Sequence, residues 1–397
     1  MTTHKSSIKV LMVVATSVVT DTRVLREAQS LVDDGYCVEI VGRNVPEDYV
    51  PPKGIKTYSA SSGPGLRPPA MGSLKTKRLS PHLRAIRWFL LPQHRARSFQ
   101  AWVDSAYVIA CGLKFDVVHA HDFTALGLGS RLSHEHNVPL IYDSHEWWLG
   151  RQRQYRATPL TDRREARLER ELGREAAAVI TVGGSIAELM ESERGFKNVS
   201  VVRNSFPSFG DTSKKVVSPP HGIIYAGRID AYRELEVEIA AAPEIPIPIC
   251  WMGDHDNQWA AKHVPLARQA GIEVLSSQPI HAVTTAMQNA GLAFVTHSNL
   301  FESHRLAMPN KLFHAVQAGV PVIATDVTEL GRIVRHYDIG ELYEPGDSHS
   351  MISAIQKAIA RHAELLDNVR AAQSELSWDH DAEVLRSLYR STLAGHR

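Results

Sequence analysis

The stretch "MPNKLFHAVQAGVPVIAT", residues 308–325, predicts a helix that runs directly into a buried strand. Pro309 suits the first helical position, where its missing N–H costs nothing. Gly319 stands where a helix would end, and the apolar run "VPVIAT" is typical of a strand in a parallel sheet. Lys311 and His314 are three residues apart and therefore share a helix face. The stretch thus indicates an α/β fold with a cation at an uncapped helix start.

Strand and helix patterns alternate along the rest of the chain. Strands such as "IKVLMVVAT" and "FDVVHAHD" are separated by helical stretches such as "DTRVLREAQSLVDDG". A stretch rich in Pro, Gly and Ser, residues 207–222, interrupts this alternation and predicts a linker. We therefore predict a first lobe over 1–206 and a second over 223–377, with a terminal helix over about 378–397. Two doubly wound parallel sheets would place a ligand in the cleft at the carboxyl ends of their strands.

The composition is that of an ordinary globular protein. The chain has 397 residues, of which 44% are hydrophobic and 22% charged, so two domains are expected. Its net charge of +1 gives no reason to expect a nucleic-acid partner. The three cysteines lie far apart, which favours a cytoplasmic location over a disulfide framework. No apolar run approaches the ~18 residues of a membrane span.

Basic residues are concentrated in the first lobe. Between Tyr49 and Val103 there are ten Lys or Arg and no Asp or Glu. The segment 53–97 is either a solvated loop with a packed helix or an aromatic-edged surface for an anionic membrane or a phosphate-bearing acceptor. The arginine-rich helix over 151–174 lies in the same lobe.

Three cations of the second lobe stand at predicted strand-to-helix junctions. Arg228 follows the strand "IIYAG", Arg233 comes five residues later, and Lys311 lies in the first turn of the opening helix. Helix starts attract anions, and these cations could neutralise a diphosphate leaving group. The chain contains neither GxGxxG nor GxxxxGK[ST], so the patterns of dinucleotide and P-loop sites receive no support.

Seven stretches in order resemble a retaining glycosyltransferase of family 4 with the two-lobed GT-B fold, in its "PNK" variant. They are "DTRVLREAQSLVDDGYCVEIV", "FDVVHAHDFTALGLG", "IYDSHEWW", "AAAVITVGGSIAELM", "VVRNSFP", "IIYAGRIDAYRELE" and the opening stretch. The resemblance implies a nucleotide-sugar donor on the second lobe and an acceptor on the first. It also implies a C-terminal helix that crosses back to the first lobe, and neither a bound metal nor a separate cofactor.

Site residues follow from the same resemblance, position by position. The catalytic set it implies is His145, beside the donor sugar, with Arg228, Arg233 and Lys311 on the diphosphate. The donor-binding set adds Gly227, Pro309, Asn310, His314 and Glu302. The acceptor-binding set is Asp21, Arg23, His121 and Asp122.

The chain departs from the family pattern at two positions of the second lobe. Leu306 and His314 occupy the places of two glutamates that are usual in the family. The second glutamate normally accepts hydrogen bonds from the ribose, and a neutral histidine can supply only part of that interaction. Glu302, from the preceding loop, is a substitute that we consider. Glu146 is interpreted as structural.

The expected reaction is a front-face displacement in which the leaving diphosphate helps to deprotonate the acceptor hydroxyl. We favour a UDP-sugar slightly over a GDP-sugar, with a glycan, a glycolipid or a small molecule as acceptor. The enzyme would be free in the cytoplasm or peripheral on the inner membrane face. Two alternatives remain: a nucleotide-sugar epimerase of the same fold, and a non-catalytic partner subunit, which His314 favours.

Overall fold

A computed structural model describes residues 8–62, 99–151, 159–210 and 216–396. Most of the predicted basic segment 53–97, and residues 152–158 of the arginine-rich region, lie outside the described residues. Among the described helices, none is long and apolar enough to cross a bilayer.

The first lobe is built on a seven-stranded parallel sheet with the order β3-β2-β1-β4-β5-β6-β7. Its strands are β1 Lys9–Val14, β2 Cys37–Arg43, β3 Ile55–Ala60, β4 Val117–His121, β5 Leu140–Ser144, β6 Ala178–Thr181 and β7 Val199–Val201. Its helices are α1 Thr22–Asp33, α2 over 99–111, α3 Asp122–His136, α4 Pro159–Glu175 and α5 Gly184–Leu189. Strands β4 and β5 are buried along their whole length, as expected for central parallel strands covered on both faces.

The second lobe is built on a six-stranded parallel sheet with the order β10-β9-β8-β11-β12-β13. Its strands are β8 Gly222–Ala226, β9 Ile249–Met252, β10 Glu273–Leu275, β11 Gly291–Val295, β12 Val322–Thr325 and β13 Gly340–Tyr343. Its helices are α6 Leu235–Ala241, α7 Gln258–Gln269, α8 Ile280–Ala290, α9 Glu302–Arg305, α10 Asn310–Ala318, α11 Thr328–Tyr337, α12 Ser348–Ala360 and α13 His362–Ala372. The two sheets confirm the predicted fold class.

The last helix, α14 (Trp378–Gly395), returns to the first lobe, which confirms the predicted crossing. It packs on α1 and β7, and Trp378 Nε1 donates to Ser30 Oγ at 2.9 Å. The Tyr389 hydroxyl lies 2.8 Å from Nδ1 of His119, the middle residue of β4. The side chains of Trp378, Leu385 and Tyr389 belong to the same buried cluster as β1 and β2.

Two local expectations were wrong. Residues 55–60, which fall in the predicted basic segment 53–97, form the edge strand β3, whose Ile55 pairs with Val38. In the opening stretch, Pro309 has an extended ψ of 136° and precedes helix α10, which begins at Asn310. The helix end is as predicted, because Gly319 adopts the left-handed conformation (φ 80°) that glycine tolerates best.

Candidate functional site

A cavity of about 640 Å³ lies between the lobes, and we call it the cleft cavity. Its walls come from the residues that follow β1 and β5 on one side and from α9, the start of α10 and the residues after β11 on the other. The lining residues include Asp21, Arg23, His145, Glu146, His297 and Asn310. This is where parallel sheets usually place their ligands, at the carboxyl ends of the strands.

The Arg23 side chain makes hydrogen bonds and ion pairs with buried groups next to the cleft cavity. Its Nε and Nη2 donate to the two oxygens of Asp143 at 3.0 and 2.8 Å, and Nη1 donates to the Val202 carbonyl at 2.7 Å. Glu27, one turn further along α1, lies 2.9 Å from the same guanidinium. Arg23 is only 3% exposed. Its guanidinium therefore holds the first-lobe site together, and these partners occupy most of its N–H donors.

His145, directly after β5, is held between two carboxylates. Its Nε2 lies 2.9 Å from Asp143 Oδ2 and its Nδ1 lies 3.3 Å from Asp122 Oδ2. Its backbone N–H donates to Asp122 Oδ1 at 3.0 Å. Burial disfavours its charged form, but Asp122 and Asp143 outweigh burial and raise the pKa of His145 to about 9. His145 is therefore an imidazolium at neutral pH, placed in the wall of the cleft cavity.

His121 lies behind His145, away from the cleft cavity. It is fully buried, with Nδ1 3.3 Å from both Asp143 Oδ2 and His145 Nε2. Burial lowers the pKa values of His121 and of its stacked neighbour His119, so both are neutral. The structure thus does not support our expectation that His121 faces the cleft. Its position suits a residue that orients Asp143 and His145.

Four buried groups could in principle hold a cation. Ligand atoms of Glu27, His119, His121 and Asp143 lie within 4.8 Å of one another. However, Arg23 and His145 already bring two positive charges to these two carboxylates. Adding a divalent ion would leave excess positive charge in a buried site, which is strongly unfavourable. The charge balance therefore argues against a metal here.

On the second lobe, Lys311 is packed against the backbone at Gly227. A Cβ at residue 227 would lie 2.4 Å from Lys311 Cε, and Lys311 Nζ lies 4.9 Å from the centre of the Tyr225 ring. Burial and the nearby Arg233 lower the pKa of Lys311 to about 7, with Glu238 opposing them. Two cations so close together in a desolvated site favour a bound anion.

The remaining donor-side cations differ in exposure. Arg233 Nη1 lies 3.0 Å from His297 Nε2, which stands after β11 in the cleft wall. Burial, with Arg233, lowers the pKa of His297 to about 3, so this ring is a neutral hydrogen-bond partner. Arg228 pairs with Asp230 at 3.1 Å, and its side chain is 63% exposed. Arg228 is thus free to turn toward a ligand at low cost.

Helix α10 begins without a side-chain cap, as the sequence predicted. Asn310, its first residue, lines the cleft cavity beside Met308. The backbone N–H groups of an uncapped first turn need an external acceptor. An anion beside Lys311 would supply that acceptor.

The two positions that depart from the family pattern are packed rather than open. Leu306 is 6% exposed and belongs to the same buried apolar cluster as Trp147 of the first lobe. His314 Nε2 lies 2.9 Å from Thr284 Oγ1, and its ring stacks on Phe206 at 4.9 Å. Burial lowers the pKa of His314 to about 4, so the ring is neutral.

Glu302 bridges the lobes. Its Oε2 accepts a hydrogen bond from Trp147 Nε1 at 2.9 Å. A ribose contact by Glu302 would have to replace that bond. The predicted donor residues are therefore brought together at Gly227, Arg233 and Lys311, while His314 and Glu302 have other partners.

A second link between the lobes was missed by the sequence analysis. Glu329 of α11 is 1% exposed and accepts hydrogen bonds from the backbone N–H groups of Gly184 and Ser185 at 3.0 and 2.9 Å. Arg332 pairs with Glu329 at 2.8 Å and with Glu188 of α5 at 3.3 Å. A second-lobe carboxylate thus caps a first-lobe helix.

Comparison with known proteins accounts for this arrangement. Residues 20–205 match the glycosyl transferase 4-like domain, and residues 220–361 match the glycosyl transferases group 1 domain. These two consecutive domains and the two facing sheets place the chain among the GT-B glycosyltransferases.

Individual relatives are distant. A glycogen synthase of Mycobacterium tuberculosis is 24% identical over 287 residues, covering 68% of this chain and 66% of that protein. Sucrose-phosphate synthase from Thermosynechococcus elongatus has a similar structure, with a TM-score of 0.72 at 17% identity over 98% of this chain and 100% of that one. The structure of HepE from Anabaena in complex with UDP-glucose is also similar, with a TM-score of 0.64. It is 14% identical, and the match covers 97% of this chain and 100% of that one. These structural likenesses show the fold.

Proposed function

We propose that the protein transfers a sugar from a nucleoside diphosphate sugar to an acceptor hydroxyl with retention of configuration. The observation that carries the proposal is Lys311, packed against Gly227 beside Arg233 at the uncapped start of α10. That arrangement suits a diphosphate, and His145 stands across the cleft cavity from Asn310. The donor and the acceptor would therefore meet between the lobes.

The donor proposed is a UDP-sugar ahead of a GDP-sugar. Solved structures of HepE, which has a similar fold, contain UDP or UDP-glucose. At 15% and 14% identity to this chain, these structures support the preference for UDP.

The chemistry proposed is a displacement on one face of the sugar. Negative charge develops on the diphosphate as its bond to the anomeric carbon breaks, and Lys311, Arg233 and Arg228 would stabilise that charge. His145, an imidazolium in the opposite wall with both ring nitrogens facing carboxylates, would lie beside the donor sugar and contribute its positive charge there. Because these cations can neutralise the leaving group, we propose that no metal is needed.

The acceptor proposed is a glycan, a glycolipid or a small molecule with a free hydroxyl. The basic sequence over 53–97 supports an anionic or membrane-bound acceptor at the inner membrane face. Flotation with liposomes tests this point: binding to vesicles with anionic lipid, but not to neutral ones, is expected. Equal and negligible binding to both would exclude the membrane surface.

One observation favours a second candidate, a transferase-like partner subunit without activity. His314 has Thr284 and Phe206 as partners, at the position where the family normally binds ribose. The test is nucleotide binding and donor hydrolysis by the purified chain over a panel of UDP- and GDP-sugars. Turnover of one donor supports the transferase, whereas binding to none of them would favour the partner subunit.

A further inference from the structure

Arg233 differs from Arg228, the other donor-side arginine, in the kind of partner that holds it. Arg228 pairs with the carboxylate of Asp230 at 3.1 Å. Arg233 makes no ion pair within the described part of the chain, and its Nη1 instead donates to Nε2 of His297 at 3.0 Å. The guanidinium of Arg233 is therefore held by a hydrogen bond that leaves its positive charge unneutralised.

This hydrogen bond fixes the tautomer of His297. A guanidinium has only donors, so Nε2 of the neutral ring must accept and Nδ1 must carry the proton. The ring is neutral because burial, with Arg233, lowers its pKa to about 3. His297 is only 7% exposed, and its Nδ1 is buried with no hydrogen-bond partner among the described residues. An unpaired buried N–H lowers stability, so the bond to Arg233 is made although it leaves Nδ1 in an unfavourable place.

The ring of His297 is held in one position by its neighbours. His297 follows β11, and its backbone N–H donates to Oγ1 of the buried Thr325 at the end of β12, at 2.8 Å. Its ring contacts the His304 ring edge to face, with 4.5 Å between the ring centres. Nδ1 of His304 in turn lies 2.8 Å from Ser298 Oγ. His297 is thus a rigid acceptor in the wall of the cleft cavity.

The backbone at Arg233 is held by the same segment. Tyr232 and Glu234, on either side of it, have φ values of 66° and 59°, which are uncommon for residues other than glycine. Thr296 Oγ1 donates to the Arg233 carbonyl at 2.6 Å. The Ser298 N–H donates to the Tyr232 carbonyl at 3.2 Å. The residues after β11 therefore fix the backbone as well as the guanidinium of Arg233.

We infer that His297 is a positioning residue for the donor diphosphate, because it fixes the Arg233 guanidinium and, as a neutral acceptor, leaves its charge for the anion. A carboxylate in the same place would orient Arg233 equally well, but it would oppose the charges of Arg233 and the nearby Lys311. An apolar residue would leave the guanidinium free to move, and that freedom would be lost on binding. This role rests on the proposed function, since it requires a diphosphate beside Arg233.

Three substitutions of His297 separate these effects in the Kd for UDP, measured by isothermal titration. His297→Gln is the conservative variant, because its amide oxygen can replace Nε2 as a neutral acceptor, and its Kd should stay within about twofold of the wild type. His297→Leu should bind UDP roughly 3- to 10-fold more weakly, the usual effect of having to order one long side chain. His297→Glu should bind UDP about 30-fold more weakly or worse, because it brings a negative charge to the diphosphate site.

A double-mutant cycle distinguishes positioning from a general structural role. In an Arg233→Ala background, His297→Leu should change the Kd for UDP by less than about twofold, because the side chain that it positions is gone. Inorganic diphosphate, which has no ribose or base, should rank the variants in the same order as UDP. His263→Leu is the matched control, with no change expected. His263 stacks on Trp259 of α7, a helix of the same lobe that is absent from the described wall of the cleft cavity.

Four results would overturn the inference. They are a His297→Leu variant that binds UDP like the wild type, a His297→Gln variant as weak as His297→Leu, a His297→Glu variant as tight as His297→Gln, and equal effects of His297→Leu with and without Arg233. In each case, wild-type binding of UDP that Arg233→Ala weakens would leave the proposed donor site standing. A wild-type chain that binds neither UDP nor diphosphate would contradict the proposed function, and the inference would fall with it.

Discussion

Burial lowers the pKa of Lys311 and so links the charge of this side chain to the binding of an anion. Its side chain is packed against Gly227, and its pKa of about 7 lies well below the usual 10.5 because of burial and the neighbouring Arg233. A bound diphosphate would favour the charged ammonium and raise that pKa again. Binding of the nucleotide should therefore be linked to uptake of a proton.

This linkage predicts that the affinity for UDP falls as the pH rises. In the free enzyme Lys311 is mostly deprotonated above pH 7.5, whereas the UDP complex holds it protonated. Because binding then requires uptake of a proton, the affinity for UDP should fall roughly 20-fold between pH 7.5 and 9. Isothermal titration over that range checks the result. Lys311→Arg is the matched variant, because its guanidinium stays charged and its affinity should be nearly constant. Equal slopes in the two proteins would contradict the assignment of Lys311.

His314 is the residue on which the ribose contact depends. If the ribose lies beside it, His314→Glu should restore a paired acceptor for the two ribose hydroxyls and tighten UDP binding several-fold. The measurement is the Kd for UDP, compared with that for inorganic diphosphate, which has no ribose. Unchanged or weaker UDP binding would show that the ribose lies elsewhere.

At the residue scale, the sequence predicted some positions and missed others for definite reasons. Lys311 and Arg233 were predicted as donor-site cations because each stands near a predicted helix start, and the structure has helix starts at Asn310 and Leu235. The partners of Arg23 were harder to predict from the sequence. Glu27 lies one turn away on α1, whereas Asp143 is 120 residues away and is brought close only by the fold. The bond between Glu302 and Trp147 joins two lobes, and no local pattern encodes it.

At the scale of elements, the cap that Glu329 provides for α5 joins the lobes beside the cleft. The carboxylate is buried and accepts from two backbone N–H groups of the first helical turn. Such capping contacts are worth about 1 kcal/mol, and more when a buried donor is left without a partner. The cap should therefore hold the two lobes in the relative position described here.

Glu329→Gln should loosen this junction. We expect faster hydrogen exchange at the amides of Gly184 and Ser185 and a loss of about 1–2 kcal/mol in the free energy of unfolding. Glu188→Gln is the matched control, because Glu188 is 73% exposed and its one ion pair among the described residues is with Arg332. Exchange at residues 184–185 that is equal in the two variants would contradict the role of Glu329.

Elements were predicted well where their patterns are periodic. For example, β8 begins at Gly222, the last residue of the stretch 207–222 that the sequence predicts as a linker. The edge strand β3 was missed because Ile55–Ala60 is half polar and lies within a stretch of sequence that is rich in Lys and Arg. Edge strands lack the continuous apolar run that makes central parallel strands recognisable.

At the scale of the whole molecule, α14 links the end of the chain to the first-lobe site. The Tyr389 hydroxyl makes a hydrogen bond with His119 Nδ1, and the His119 ring stacks on His121. His121 in turn contacts Asp143 and His145. The C-terminal helix thus supports the buried face of the site from 270 residues away. The family resemblance predicts a helix that crosses back in this way. The hydrogen bond between Tyr389 and His119 could be identified only from the structure.

Tyr389→Phe should weaken this support without changing the packing. Removing the hydroxyl leaves His119 Nδ1 buried and unpaired, which costs about 1–3 kcal/mol. Urea unfolding measures the loss. Tyr36→Phe is the control, because Tyr36 contacts the Tyr389 ring only edge to face, at 5.6 Å. A loss no larger than that of Tyr36→Phe would contradict the role given to the Tyr389 hydroxyl.

The central claim is that the second lobe binds a nucleoside diphosphate at the start of α10. A crystal structure of the chain with UDP tests it most directly. We predict phosphate oxygens within hydrogen-bond distance of Lys311 Nζ, Arg233 and the first backbone N–H groups of α10, with the cleft cavity between them and His145. Nucleotide bound elsewhere, or no binding at millimolar UDP, would contradict the account.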